Sequence, residues 1–194
     1  MYRIKTVELK KTAYKPKQII DDETKKIAFV GRSNVGKSSL LNLIFNQKIA
    51  KISSTPGKTR SINYYEVNKK DYFIDLPGYG YARRSKSEQE NWDELMSEFF
   101  IRNTDMDMLF VLMDSRHPFT KTDEVFFDWI LPLQIPIAVV LTKSDKVNKT
   151  AIKPRINETR KLLENYGDFE IFPISVLKRS GTENLLSFIG EVFS

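Results

Sequence analysis

A glycine-bounded loop over residues 31–38 carries the residue types that hold phosphate groups. Gly31 and Gly36 allow the backbone to curl so that successive N–H groups point inward and form a concave anion site. The Lys37 ammonium can reach the β- and γ-phosphates of a nucleoside triphosphate and act in their transfer, and the Ser38 hydroxyl can ligate Mg²⁺. The predicted phosphate contacts are Gly31, Arg32, Ser33, Asn34, Val35, Gly36, Lys37 and Ser38.

A second candidate segment is Asp75-Leu76-Pro77-Gly78, which follows an apolar run. The Asp75 carboxylate can hold Mg²⁺, directly or through water, and the Gly78 N–H can sense the γ-phosphate and act in catalysis. A proline–glycine pair alone is a turn signal. Its place after the phosphate loop and a predicted hairpin favours the nucleotide role.

The polar loop 53–61 lies between these two segments. A loop of this kind can become ordered when a γ-phosphate and Mg²⁺ are present, and a mobile surface loop is a compatible, simpler interpretation. Thr59 is predicted to be the second protein hydroxyl on Mg²⁺ and to act in catalysis, although several Ser and Thr residues offer the same chemistry.

The segment 142–145 can recognise a base. The Asp145 carboxylate can accept hydrogen bonds from guanine N1–H and the 2-amino group, and adenine has neither donor, so ATP would leave it unpaired. The stem of Lys143 can cover the purine while its ammonium braces the phosphate loop. Backbone N–H groups of Ser175 and Val176 can donate to guanine O6, an assignment that depends mostly on their position after a strand.

Alternating strands and helices must position these loops. The apolar patterns predict strands over 27–30, 63–67, 71–75, 108–113, 137–141 and 170–174, and helices from 37 and over 87–102, 123–131, 153–166 and 182–193. The N-terminus, 1–10, reads as an extra strand, and 12–26 as an exposed connection. This order predicts an α/β fold with a mixed, mostly parallel sheet covered by helices on both faces, in which ligands bind beyond the carboxyl ends of the strands.

Composition sets further bounds on the class of protein. The 194 residues include no cysteine, which excludes disulfides and thiolate metal sites, and the net charge is +6. The apolar runs are far too short to span a bilayer, and no linker is visible, so we expect one cytoplasmic domain over 1–194, monomeric and not membrane-bound. The positive charge favours a polyanion such as RNA or anionic lipid, or it is a solvated surface.

Taken in order, these elements make the chain resemble a P-loop GTPase, and more narrowly the EngB (YihA/YsxC) family of bacterial ribosome-assembly GTPases. The resemblance covers essentially the whole chain and rests on residues 31–42, 56–59, 75–82, 114–117 and 142–145. It implies a Ras-like P-loop fold, GTP and GDP as ligands, and Mg²⁺ on Ser38 and Thr59. It further implies nucleotide contacts from residues 31–38 and 75–78, from Gly57, Lys58, Thr59, Arg60 and Ser61, from Thr142, Lys143, Ser144 and Asp145, and from Ile174, Ser175 and Val176. It also implies binding to the large ribosomal subunit or its precursor, with effects on growth, cell division and septation.

Two positions depart from the general GTPase pattern. Thr142 replaces the usual asparagine, which can weaken the bracing of the phosphate loop. Tyr79 replaces the water-orienting glutamine of Ras-like enzymes, so intrinsic hydrolysis should be slow. We expect Asn34 to help catalysis by binding a monovalent cation such as K⁺ beside the phosphates. An equally strong interpretation is that Asn34 only satisfies backbone groups of its loop.

Two function classes compete with the GTPase switch. A small-molecule kinase would share the phosphate loop, but the sequence shows no arginine-rich lid. A nucleotide-dependent interaction module with negligible hydrolysis remains open because of Tyr79. Near the phosphate segments, the basic cluster 83–86 is predicted to contact RNA, and His117 to serve packing or a partner and not to act as a general base.

Overall fold

The computed structural model describes residues 1–50, 61–80 and 85–194. Within these ranges the strands are β1 (Val7–Ala13), β2 (Lys26–Gly31), β3 (Ile62–Val67), β4 (Asp71–Asp75), β5 (Met108–Asp114), β6 (Ile137–Thr142) and β7 (Ile171–Pro173). The α-helices are α1 (Lys37–Phe45), α2 (Lys86–Arg102), α3 (Lys121–Ile130), α4 (Ile152–Leu163) and α5 (Thr182–Val192). None of the helices in the described ranges has both the length and the apolar character needed to cross a membrane.

The strands form one sheet in the order β1-β3-β4-β2-β5-β6-β7. The pairs of β2 with β4 and β5, of β5 with β6, and of β6 with β7 are parallel, whereas β3 pairs antiparallel with β1 and β4. The predicted mixed, mostly parallel sheet is confirmed. Because parallel strands end at the same edge, the segments that follow β2, β4, β6 and β7 come together there.

Helices cover both faces of the sheet, as predicted. The central strands β2 and β5 are almost wholly buried, which is why they are near-continuous apolar runs. One core contains buried side chains of α2, α3 and α4, including Phe99, Phe127 and Leu163. The opposite core contains side chains of α1 and α5, including Leu41 and Ile189.

The N-terminal prediction is wrong in its boundaries. The strand begins at Val7, because the first residues pack elsewhere: the Tyr2 N–H donates to Leu186 O at 2.8 Å, and the Tyr2 ring lies 5.4 Å from that of Phe193. The strand also continues to Ala13, which is fully buried. Ile19 is buried as well, so the segment 12–26 is not simply an exposed connection.

Smaller shifts occur at helix ends. Helix α3 begins at Lys121, before the predicted start, because Thr120 and Asp123 form a capping box in which the Thr120 N–H donates to Asp123 Oδ2 at 2.8 Å. Helix α4 ends at Leu163, and the Tyr166 N–H then donates to Leu163 O at 2.8 Å in a closing turn. Strand β7 is shorter than predicted, covering Ile171–Pro173.

Candidate functional site

The phosphate loop connects β2 to α1 and has the backbone that the glycine spacing requires. Gly36 has φ 107° and precedes the first residue of α1, so the N-terminus of the helix faces the loop. Asn34 is also left-handed, with φ 63°. A Cβ on Gly31 would lie 2.7 Å from Leu112 O, so only glycine permits this approach to β5. The loop thus combines a tight backbone with the positive end of a helix dipole, which favours an anion.

The predicted phosphate and metal groups contact each other. Lys37 Nζ donates to Asp75 Oδ1, and both residues are buried, so the ion pair joins the loop to the end of β4. Ser38, in the first turn of α1, follows Lys37 directly. A carboxylate and a hydroxyl are hard oxygen ligands of the type that Mg²⁺ prefers. The residues present therefore fit a magnesium ion held at the phosphates.

The segment after β4 lies directly against the phosphate loop. The Tyr79 N–H donates to Gly31 O at 3.2 Å, and the Ser33 N–H donates to Tyr79 O at 3.3 Å. A Cβ on Gly78 would lie 3.0 Å from Gly31 O. Leu76 and Pro77, which complete this segment, are buried. The backbone at Gly78 is therefore beside the loop predicted to hold the phosphates.

Thr142 and Lys143, at the end of β6, brace the same loop. The Thr142 hydroxyl donates to Val35 O at 2.7 Å, so a short side chain still makes a bracing contact where the general pattern has asparagine. Lys143 Nζ donates to Asn34 O at 3.0 Å, which confirms the predicted contact between this ammonium and the phosphate loop. These bonds join the predicted phosphate and base segments.

The predicted guanine acceptor, Asp145, is oriented by the segment after β7. The Ser175 hydroxyl donates to Asp145 Oδ1 at 2.7 Å, and this bond lowers the pKa of the Asp145 carboxyl. The group is therefore an ionised acceptor at neutral pH. The Ser175 N–H donates to Ser180 O at 3.1 Å, so the expected donor to guanine O6 is the backbone of Val176 instead. Ile174 is buried and its carbonyl accepts from the Ser144 N–H at 3.1 Å.

Asp114, at the end of β5, is a site residue to which the sequence analysis assigned no role. Its Oδ2 accepts from Lys143 Nζ at 2.9 Å, and the Arg116 guanidinium donates to both carboxylate oxygens. Burial opposes ionisation of Asp114, but the bonds from Arg116 and Lys143 hold its pKa below the ordinary value. Its signal was available, because it follows a buried strand as Asp75 does.

The side chain of His117 is exposed, and its carbonyl oxygen accepts from the Arg32 guanidinium at 2.7 Å. Ser61 is buried just before β3. The predicted residues Gly57, Lys58, Thr59 and Arg60, and Arg83 and Arg84 of the basic cluster, lie outside the described residues. The structure thus brings together the loop 31–38, the segment 75–79 and the segment 142–145, with 174–176 beside the last.

Comparison with known proteins agrees with this site. A family model described as 50S ribosome-binding GTPase matches residues 26–143. The chain is 47% identical over 186 residues to a probable GTP-binding protein EngB of Kosmotoga olearia, an alignment that covers 96% of this chain and 98% of the relative. Both matches include the phosphate loop, and both extend at least as far as Lys143, the residue that follows β6.

Solved structures show the same fold. A crystal structure of a probable GTP-binding protein EngB has a TM-score of 0.68 at 26% identity, and the match covers 86% of this chain and 97% of that one. A crystal structure of Era in complex with MgGDPNP and nucleotides 1506–1542 of 16S ribosomal RNA has a TM-score of 0.68 at 28% identity, covering 85% of this chain and 55% of that one. The fold is therefore that of Ras-like P-loop GTPases, and the chain belongs to the EngB family of GTP-binding proteins, enzymes that hydrolyse GTP to GDP and phosphate.

Proposed function

We propose that this protein is a GTP-dependent, Mg²⁺-dependent switch with slow intrinsic hydrolysis that binds the large ribosomal subunit or its precursor during assembly. The observation that carries the proposal is the meeting of Lys37, Asp75 and Gly78 at one edge of the sheet, where Lys143, two residues before Asp145, also bonds to the phosphate loop. The matching family description, 50S ribosome-binding GTPase, supports the large subunit as partner.

The buried pair of Lys37 and Asp75 suggests how a triphosphate changes this edge. Phosphate oxygens would replace the carboxylate as partners of the Lys37 ammonium, and the released Asp75 would be available to the metal, with Ser38 and Thr59 as further ligands. The metal, when bound, neutralises charge on the β- and γ-phosphates. The Era structure with MgGDPNP supports this proposal.

The environment of Tyr79 supports slow hydrolysis. Its side chain is only 4% exposed, and its hydroxyl donates to Asp123 Oδ1 at 2.8 Å. A phenol bonded in this way cannot also orient a water at the γ-phosphate, as a glutamine amide does in Ras-like enzymes. Rapid hydrolysis would then require a group supplied by a partner or an ion.

We assign the role of that ion site to Asn34, which is exposed and left-handed at the tip of the phosphate loop. GTP turnover is expected to be at least about tenfold faster in potassium than in sodium buffer, since a cation there would stabilise developing charge as an arginine finger does. Asn34→Gly tolerates the same φ and should lose the potassium effect. Asn46→Gly, at another left-handed asparagine with φ 51°, is the matched control. Equal turnover of the parent protein in both buffers would remove the cation role.

Binding to ribosomal particles tests the switch itself. The protein is expected to sediment with large-subunit precursors in a non-hydrolysable GTP analogue and to remain in the supernatant in GDP, with small-subunit precursors as the control particle. The positive net charge of +6 suits an RNA surface. Sedimentation that is the same in both nucleotides would contradict the switch, and equal binding to both particles would contradict the large-subunit assignment.

The proposal also includes a cytoplasmic monomer whose residues 1–194 form one G domain with an extra N-terminal strand, and a role in growth, cell division and septation through the supply of ribosomes. The basic cluster 83–86 is proposed to contact RNA. The kinase alternative loses its support because the chain belongs to a family of GTPases. An interaction module without hydrolysis is distinguished by measuring phosphate release with ribosomal particles added.

A further inference from the structure

A cluster of three side chains, of which Tyr79 and Asp123 are buried and Arg32 is partly exposed, lies beside the phosphate loop. The Tyr79 hydroxyl donates to Asp123 Oδ1 at 2.8 Å, and Arg32 Nε lies 3.3 Å from Asp123 Oδ2. The Asp123 side chain is fully buried, and the Tyr79 ring stacks on Phe126 with a centroid distance of 4.3 Å and an interplanar angle of 6°. The position that carries a water-orienting amide in Ras-like enzymes is therefore directed into the protein.

The Asp123 carboxylate joins three parts of the chain. It belongs to α3, where its Oδ2 also accepts from the Thr120 N–H at 2.8 Å and the Thr120 hydroxyl at 2.7 Å. Through Arg32 it contacts the phosphate loop, and through Tyr79 it contacts the segment after β4. The Arg32 guanidinium is held from a second side by His117 O at 2.7 Å.

The charges in this cluster are complementary. Burial, together with the neighbouring Asp123 carboxylate, raises the pKa of the Tyr79 phenol well above its ordinary value, so the hydroxyl stays protonated and donates. A buried carboxylate is expensive unless it is paired and hydrogen-bonded, and Arg32, Tyr79 and Thr120 supply these contacts. The cluster is therefore a rigid arrangement and not a chance contact of solvated groups.

We propose that Arg32, Tyr79 and Asp123 form a latch that positions the Gly78 backbone against the phosphate loop and thereby sets the ratio of the affinities of this protein for GTP and GDP. Tyr79 follows Gly78 directly, and its own N–H and carbonyl oxygen bond to Gly31 and Ser33 of the loop. Its side chain bonds the same segment to Asp123 of α3, and in the latch this second attachment fixes the position of the Gly78 N–H. The inference rests on the proposed switch, because a γ-phosphate must contact Gly78 for the latch to matter.

The two nucleotides should respond differently when the latch is weakened. A γ-phosphate contacts the Gly78 backbone, whereas GDP has no group at that place. Loss of the tyrosine hydroxyl leaves the ring stacked on Phe126 but frees the segment from Asp123. The variant should therefore bind the triphosphate more weakly than the parent protein does. Its affinity for GDP should change little, because GDP does not contact the Gly78 N–H. A tyrosine that served only packing would affect both nucleotides alike.

The test is the ratio of affinities for a non-hydrolysable GTP analogue and GDP, measured by competition with a fluorescent nucleotide. In Tyr79→Phe the affinity for the analogue should fall about tenfold, the range of a hydrogen bond to a charged group, while that for GDP changes by less than about twofold. The matched control is Tyr64→Phe, which removes the hydroxyl of another buried tyrosine, one that contacts the Ile20 N–H at 3.3 Å. Its ratio should stay that of the parent protein.

A second variant provides an independent test if Tyr79→Phe folds poorly. Asp123→Asn retains an oxygen acceptor for the Thr120 capping bonds and removes the charge, and the same selective loss of triphosphate affinity is expected. An unchanged ratio in both variants, or equal losses for both nucleotides, would overturn the latch. Failure of the proposed switch gives a different result. In that case the parent protein sediments with ribosomal particles equally in both nucleotides, while the ratio of the two nucleotide affinities still shifts in Tyr79→Phe.

Discussion

Asp145→Asn is expected to lower the affinity for GTP by at least about a hundredfold, because a site built to hydrogen-bond a particular group strongly rejects a mismatch. The ionised carboxylate can accept from both guanine N1–H and the 2-amino group. The asparagine amide has one acceptor oxygen, and its NH₂ would face the guanine amino group, so that two donors oppose each other. Isothermal titration calorimetry with GTP and GDP measures the loss.

The same substitution should create affinity for xanthosine triphosphate. Xanthine keeps the N1–H but has a carbonyl oxygen in place of the 2-amino group, which matches the donor and acceptor of an amide. The Ser175 hydroxyl, 2.7 Å from Asp145 Oδ1, can donate to an amide oxygen as it does to the carboxylate, so the side chain remains oriented. A simple collapse of the site would not produce this exchange of specificity.

The matched control for this exchange is Asp168→Asn, which makes the same chemical change at an exposed residue that precedes β7, whereas residues 174–176 follow this strand. It should bind GTP as the parent protein does and should not bind the xanthosine nucleotide. Retained GTP affinity in Asp145→Asn would show that this carboxylate does not read the base. The assignment of guanine specificity to the end of β6 would then be wrong.

Lys37→Met is expected to abolish detectable binding of the GTP analogue and hydrolysis, since it removes the ammonium that contacts the phosphates. It should also destabilise the fold by about 3 kcal/mol, because Asp75 stays buried without its partner. Both residues are buried, at 8% and 2% exposure, so water cannot replace the lost contact easily. Nucleotide titration and urea unfolding without nucleotide measure the two effects.

A double variant separates the two roles of Lys37. Lys37→Met with Asp75→Asn removes the stranded charge, so it should recover most of the stability but none of the triphosphate binding. Lys48→Met, an exposed lysine just beyond α1, is the control and should change neither measurement. Triphosphate binding that survives in the single variant would disprove the phosphate role of Lys37, and full stability there would show that the buried pair does not support the fold.

The segment from Asp114 to Asp123 emerges as a support of the phosphate loop. Asp114 holds Lys143 against the Asn34 carbonyl, His117 O holds Arg32, and Asp123 binds Arg32 from the other side. These residues act by holding the phosphate loop in position and not by contacting the base.

The sequence by itself determined the parts of the site that are local. The glycine spacing and the flanking strand and helix at 31–38, and the polar residues after each apolar strand, are properties of short segments, and the structure has them where predicted. The mixed, mostly parallel character of the sheet followed from the alternation of strands and helices. The N-terminal boundary did not, because the Tyr2 N–H bonds to Leu186 of α5 and the Tyr2 ring packs near Phe193, contacts that alternating polarity cannot reveal.

Only the tertiary structure decided which of these residues meet. Lys37 pairs with Asp75, Asp114 with Lys143, and Tyr79 with Asp123 because neighbouring strands in the sheet are distant in the chain. Spacing in the sequence predicts that a carboxylate follows a strand, but burial and the identity of the facing side chain determine what it does. For that reason the sequence shows a tyrosine where Ras-like enzymes have a glutamine, but it does not show that the hydroxyl of Tyr79 bonds to Asp123 of α3.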